Sequence, residues 1–245
     1  PLERGLASVV GLVLTTSRLT VGLASAAYLA RAVREAVAYA RFRVAFGRPI
    51  GEFGMVRAQL EDLRLASRRA TAGAFEVARR FQATAGGSTG PSAEPAARRA
   101  ALEARLLVML QKVVAAEDAS QGIREAMGIL GGNGVVEDFS CLPRLFRDSA
   151  VNELWEGPRN VLLAQLHRDL QRAAGWYPPA ELVAGLVGAG AGATVRQLGL
   201  EVAGLVAHPD LADGGEETVA ACRRWDAACR ALMHAFQEAA VAQVE

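Results

Sequence analysis

A chain of 245 residues, 51% of them hydrophobic, has enough apolar side chain for a large core in one or two domains. Its 27 basic and 26 acidic residues leave a formal net charge of +1, so no global field selects nucleic acid or an anionic membrane surface. The charge is unevenly spread: residues 1–174 hold 23 Arg or Lys against 17 Asp or Glu, a net of +6, whereas residues 175–245 hold 4 against 9, a net of −5. Lys112 is the only lysine, a bias read as genomic base composition rather than a demand for bidentate phosphate contacts. Three cysteines, Cys141, Cys222 and Cys229, form no CxxC and cannot all pair within the chain, which favours a reducing compartment and gives the cytoplasm as the expected location.

From the N-terminus, Gly5 to Ala30 carries one charge, Arg18, which splits the stretch into apolar runs of 13 and 12 residues. Each is shorter than the ~18 residues of a membrane span, so a buried bundle helix is expected there and no membrane partner. Core-type residues then recur in alternating steps of three and four. The first series is Leu19, Leu23, Ala26, Ala30, Val33, Val37 and Ala40, on a helix expected from about Leu6 to Phe42 and ended by the Gly47-Arg48-Pro49 turn. A second, from Val56 through Leu60 and Leu63 to Phe81, predicts a helix over about Phe53 to Thr84, followed by a polar loop at residues 85–91. A third, from Leu102 through Leu106 and Met109 to Leu130, predicts a helix over about Glu94 to Leu130. A short helix near Pro143 to Asp148 and a fourth long one reaching about Ala173 complete the set.

Sustained 3.5-residue seams belong to long helices packed at shallow angles, so the expected fold is all-α: a four-helix up-and-down bundle over residues 1–174. An acidic extension of two helices is expected over residues 175–245. Its first helix would carry five glycines, so it must be packed closely or be poorly formed.

Two glycine-bearing patches interrupt the helices: Ile129-Leu-Gly131-Gly132-Asn133-Gly134, and Leu154-Trp155-Glu156-Gly157. Both would flank bundle ends, where backbone N–H groups can face a ligand, and a flat cofactor could lie there beside the Glu156 carboxylate. Burial against Trp155 and Leu154 would raise that carboxyl toward the range of a general base. No metal site is expected: a carboxylate-bridged bundle needs Glu-x-x-His pairs, and His167, His208 and His234 follow Ala164, Leu205 and Ala231 at that spacing.

The ordered set Arg18, Arg43-Val-Ala-Phe46-Gly47-Arg48-Pro49, the Gly131 to Gly134 loop, Arg147-Asp148 and Trp155-Glu156-Gly157 resembles the C-terminal helical domain of the FAD-dependent acyl-CoA dehydrogenases, over about residues 6–170. The resemblance implies that Glu156 removes the α proton of an acyl-CoA thioester while a hydride leaves the β carbon for FAD. It implies that the Glu156 backbone N–H polarises the thioester carbonyl, with Arg18, Trp155 and Gly157 at the substrate. Some members place the base just before the arginine that Arg18 matches; here that position is Ser17, which cannot serve.

It further implies that Arg43, Phe46, Gly131, Gly132, Gly134 and Asn160 contact FAD, partly that of a neighbouring subunit. The expected partners are therefore acyl-CoA, further copies in a dimer or tetramer, and a flavoprotein electron acceptor. Arg147 and Asp148 are read as a structural pair. Gly54 and Gly128 stand where many members have glutamines, and Pro158 where a hydroxyl residue is common. The helical and β-barrel domains that open such enzymes are not visible in this sequence, so a fragment is expected.

Two other readings compete. Trp155-Glu156-Gly157, Val151-Asn152 and the additional C-terminal helices also resemble the alkylation-damage-response branch of flavoproteins associated with DNA, but the acidic tail disfavours nucleic acid. A non-catalytic helical scaffold or oligomerisation module would need no more than the heptad seams.

Overall fold

The structure is a computed structural model that describes Gly5 and residues 13–84, 94–188 and 192–244. Eight helices dominate it: α1 (Leu14–Phe42), α2 (Gly54–Ala83), α3 (Pro95–Leu130), α4 (Leu142–Leu154), α5 (Arg159–Ala173), α6 (Pro179–Val187), α7 (Ala193–Val206) and α8 (Glu216–Ala242). Residues 6–12 and the loop expected at residues 85–91 lie outside the described residues.

The seams account for the first three helices. In α1, Leu19, Ala26, Val33 and Ala40 are buried, and in α2 Leu60, Leu63, Ala70, Ala74 and Val77 are. α1 ends with the Arg43 amide on the Tyr39 carbonyl at 2.8 Å. A two-residue antiparallel hairpin follows, β1 (Val44–Ala45) with β2 (Arg48–Pro49). Its turn residues Phe46 and Gly47 both have positive φ, 50° and 84°, as the tightest right-twisted hairpins require.

The α3 helix starts where Glu94 accepts the Ala97 amide and Pro95 takes the first helical position, whose N–H would have no partner. Residues 106–116 are buried without interruption, so this helix is the axle of the fold rather than one wall of it. It touches α1, α2, α4, α5, α6 and α8.

The extension explains why. The first of its expected helices is divided into α6 and α7, with Gly188 at φ 99° closing α6. The glycines of this region allow close packing: a Cβ on Gly199 would meet Ala180 Cα at 3.3 Å. One apolar cluster runs from Leu106, Leu110 and Val114 through Leu162 and Leu166 of α5 to Trp225, Leu232 and Phe236 of α8, across residue 174. The Trp225 indole donates to the Leu163 carbonyl at 2.9 Å. On α3, Glu117 and Asp118 accept Arg230 at 2.6 and 3.0 Å, His234 meets Asp118 at 2.8 Å, and Arg159 bridges Glu117 to Asp226. Among the described residues no helix is long and apolar enough to cross a membrane.

Candidate active site

Four residues join α4 to α5. Trp155 is extended and its amide still bonds the Val151 carbonyl, after which Glu156 and Gly157 take φ of 59° and 103°. Glycine is required at 157, because a Cβ there would lie 3.1 Å from Leu162 Cδ2 in a conformation side chains avoid. Glutamate has no such licence at 156. A non-glycine residue in the left-handed region costs on the order of 1 kcal/mol, so neighbouring groups must hold it.

Three side chains do so. The Arg18 Nε donates to the Glu156 carbonyl at 2.8 Å. The Lys112 Nζ donates to the Glu153 and Gly157 carbonyls at 2.9 and 2.6 Å. The Ser17 hydroxyl donates to Glu156 Oε1 at 2.8 Å. Two buried cations therefore grip three carbonyls of one turn, while a hydroxyl orients its carboxylate.

Burial penalises both cations. Arg18 is held below the usual guanidinium range by desolvation, against the attraction of Glu156. Lys112 has no exposed surface; burial, then the Arg18 charge, lower it to about 8, opposed by Glu153 and Glu156. Between about pH 8 and the value of an exposed lysine, the unfolded chain keeps a proton that the folded chain has released. Stability should therefore rise with pH across that window, on the order of 1 kcal/mol per pH unit from this group. Denaturant melts of wild type and Lys112→Met should diverge in the wild type's favour as pH is raised through the window; a constant difference would show that the lysine titrates normally.

The expected drying of Glu156 by its neighbours does not occur. Leu154 and Trp155 are 69% and 53% exposed, because the end of α4 turns both outward. The Trp155 indole instead donates to the buried Asn152 Oδ1 at 3.1 Å, and Asn152 Nδ2 reaches Ser25 Oγ at 3.4 Å. Glu156 itself is half-buried.

Ser17, Arg18, Trp155, Glu156 and Gly157 thus gather at one end of α1, with Asn160 exposed on the first turn of α5. Arg43 and Phe46 lie at its other end, joined by the glycine loop through the Asn133 amide on the Tyr39 hydroxyl at 3.2 Å. From Ser17 to Tyr39 the helix rises about 33 Å. The two glycine patches are therefore not side by side within one chain.

At the far end Gly131, at φ 62°, closes α3, and a Cβ on Gly131 or Gly132 would meet nothing within 4 Å. Gly134 differs, since a Cβ there would collide with the Met127 carbonyl oxygen at 2.2 Å. Arg147 pairs with Glu137 at 2.5 Å rather than with the adjacent Asp148. Side chains on neighbouring helical positions diverge by about 100°, so adjacent residues do not face each other.

Lys112, noted from the sequence only as the single lysine, had been given no place at the site, and Ser17 had been set aside although it touches the candidate base. A signal for the first existed: a single lysine inside an otherwise apolar run.

Residues 3–171 match the family described as acyl-CoA dehydrogenase, C-terminal domain. The chain is 33% identical over 161 residues to the putative acyl-CoA dehydrogenase AidB of Escherichia coli K12, covering 66% of this chain and 28% of that protein. The solved structure of Caenorhabditis elegans ACDH-11 in complex with C11-CoA superposes with a TM-score of 0.68 at 22% identity, over 97% of this chain and 43% of that one. Acyl-CoA oxidase-1 of the same nematode, complexed with FAD and ATP, gives 0.66 at 14% identity, over 94% and 38%. Those two likenesses concern the fold, and in all three comparisons the chain spans less than half of its relative. The chain belongs to the acyl-CoA dehydrogenase family, as a C-terminal helical domain of that family with three further helices packed against it.

Proposed function

We infer that this chain supplies the catalytic base, and part of the cofactor surface, of an FAD-dependent enzyme that converts an acyl-CoA thioester to its enoyl-CoA. The observation that carries this reading is the Glu156 carboxylate, displayed from a left-handed turn and oriented by Ser17 while Arg18 and Lys112 hold the backbone beneath it. A helical scaffold has no use for that arrangement.

Glu156 would take the α proton, and with Oε1 engaged by Ser17, Oε2 is the oxygen to receive it. Anchoring the carbonyls at 153, 156 and 157 holds the peptide planes on both sides of the one that carries the Glu156 N–H, which constrains that N–H as a donor for the thioester carbonyl. FAD, when bound, supplies the acceptor for the hydride that leaves the β carbon. The far end of α1 suits such a group: Arg43 is exposed, the Phe46 ring is 97% exposed, and the backbone at Gly131 and Gly132 is open. A guanidinium, an uncovered ring and accessible peptide match a flat molecule carrying phosphates.

The separation of about 33 Å between this surface and Glu156 supports pairing the base of one copy with the cofactor surface of another, and hence a homo-oligomer. Exposed Phe42, Phe46 and Met55 give the hairpin region an apolar face for such contact.

The test is the full-length protein. Purified, it should carry flavin, and anaerobic addition of an acyl-CoA series should exchange α protons with D2O and bleach the flavin absorbance. A colourless protein, or a flavoprotein that exchanges no α proton with any chain length, would overturn the reading.

A further inference from the structure

Lys112 sits at the middle of α3, where every residue from 106 to 116 is buried, and it has no exposed surface. A lysine there cannot snorkel to water, so its charge persists only if polar groups come to it. They come from one place. The Glu153 carbonyl belongs to the last turn of α4, where acceptors lack helical partners and a cation is favoured, and the Gly157 carbonyl lies four residues on, past the end of the helix.

One ammonium thus closes the turn from below at both its ends, and Arg18 takes the carbonyl between them. A turn with two successive positive φ values would by itself be met by glycine at 156 and neutral donors. Instead two buried cations stand near enough that the charge of Arg18 is the second cause of the lowered Lys112 value, after burial.

We propose that Lys112 is a positioning residue for the reaction: by holding the Glu153 and Gly157 carbonyls it sets the direction in which the Glu156 carboxylate and amide point, and its fixed charge favours the negative charge that develops on the thioester once the proton has left. The proposal rests on Glu156 being the base. The charge contributes because a buried region screens little, and positioning contributes because small displacements of reacting groups are costly in rate.

The experiment uses the full-length flavoprotein with Lys112→Met, which fills the space but donates nothing, and Lys112→Arg, which keeps donors and charge. Lys112→Met should lower kcat and α-proton exchange about 100-fold, with KM changed much less. Amide hydrogen exchange at residues 154–157 should quicken while that of α3 stays slow. Wild-type activity should fall as Lys112 loses its proton near pH 8; Lys112→Arg should recover part of kcat and lack that alkaline fall, because a guanidinium keeps its proton there.

A folded Lys112→Met with unchanged kcat, or a Lys112→Arg that retains the alkaline limb, would overturn the proposal; if the methionine variant does not fold, the arginine variant decides alone. If wild type exchanges no α proton, it is the base reading that has failed. Hydrogen exchange at residues 154–157 then still decides whether Lys112 sets the turn: quickening in Lys112→Met supports it, and no change removes it.

Discussion

If Glu156 is the base of a flavin enzyme as proposed, Glu156→Gln in the full-length protein should lower the rate of α-proton removal about 1,000-fold while leaving fold and flavin content intact. The amide keeps the shape of the side chain, its oxygen can still accept the Ser17 hydroxyl, and the Arg18 and Lys112 contacts are to backbone carbonyls that the substitution does not touch. The ability to take a proton is lost, together with the negative charge that favours the charged forms of Arg18 and Lys112. Flavin should be retained because the side chains proposed to hold it, Arg43 and Phe46, are not touched by the substitution. Exchange of substrate α protons with D2O and stopped-flow loss of flavin absorbance measure the effect; unchanged exchange in the variant would remove Glu156 from the mechanism. Glu156→Gly sharpens the case. It should be equally inactive yet more stable by about 1 kcal/mol, because glycine adopts φ 59° without strain. A residue kept at the expense of stability is what a site selected for chemistry shows.

Ser17 and Glu156 also make physical sense of the family pattern in which the base can come from either segment. The Ser17 hydroxyl and the Glu156 carboxylate are 2.8 Å apart, so the tips of the two side chains meet at one point above the turn. A carboxylate delivered from α1 or from the α4–α5 turn would act on the same carbon. Serine at 17 supplies the donor that orients the glutamate at 156.

Much of this architecture was legible because it follows from spacing. The seams of α1 and α2 mark one buried face each, and Glu94-Pro95 and the Gly47-Arg48-Pro49 turn bound helices by local chemistry, whereas the two-residue strands around that turn were not foreseen. The α3 seam understated its helix, since periodicity reports one face and cannot see that α6 and α8 cover another. The covering of Glu156 by Trp155 was misjudged for a similar reason: whether a bulky neighbour dries a carboxylate depends on which way it points, and the indole is half exposed with its N–H turned to Asn152. Which end of α1 each glycine patch packs against was hidden, because spacing gives the length of the helix but not the end to which α4 carries the chain.

The three glycines of the first patch, alike in the sequence, should separate sharply by stability. Gly134→Ala should cost about 3 kcal/mol and lower the melting temperature by roughly 6–12 °C, because its Cβ would lie 2.2 Å from the Met127 oxygen and 2.8 Å from its carbon. These are backbone atoms near the end of α3, close to buried Ile129 and Leu130, and they cannot rotate aside. Gly132→Ala should change stability by less than about 0.5 kcal/mol, since its Cβ would enter open space. Gly131, at φ 62° and ψ −139°, a conformation side chains avoid, should fall between, near ~2 kcal/mol. Thermal melts of the three variants test the order. Flavin content of the full-length forms tests the rest: if peptide at the open positions faces the cofactor, Gly132→Ala loses flavin without losing stability, whereas Gly134→Ala loses it only in step with unfolding. A Gly134→Ala variant that melts like wild type would show that the end of α3 yields more than its packing allows, and a Gly132→Ala variant that keeps its flavin would place the cofactor's contacts on Arg43 and Phe46 instead.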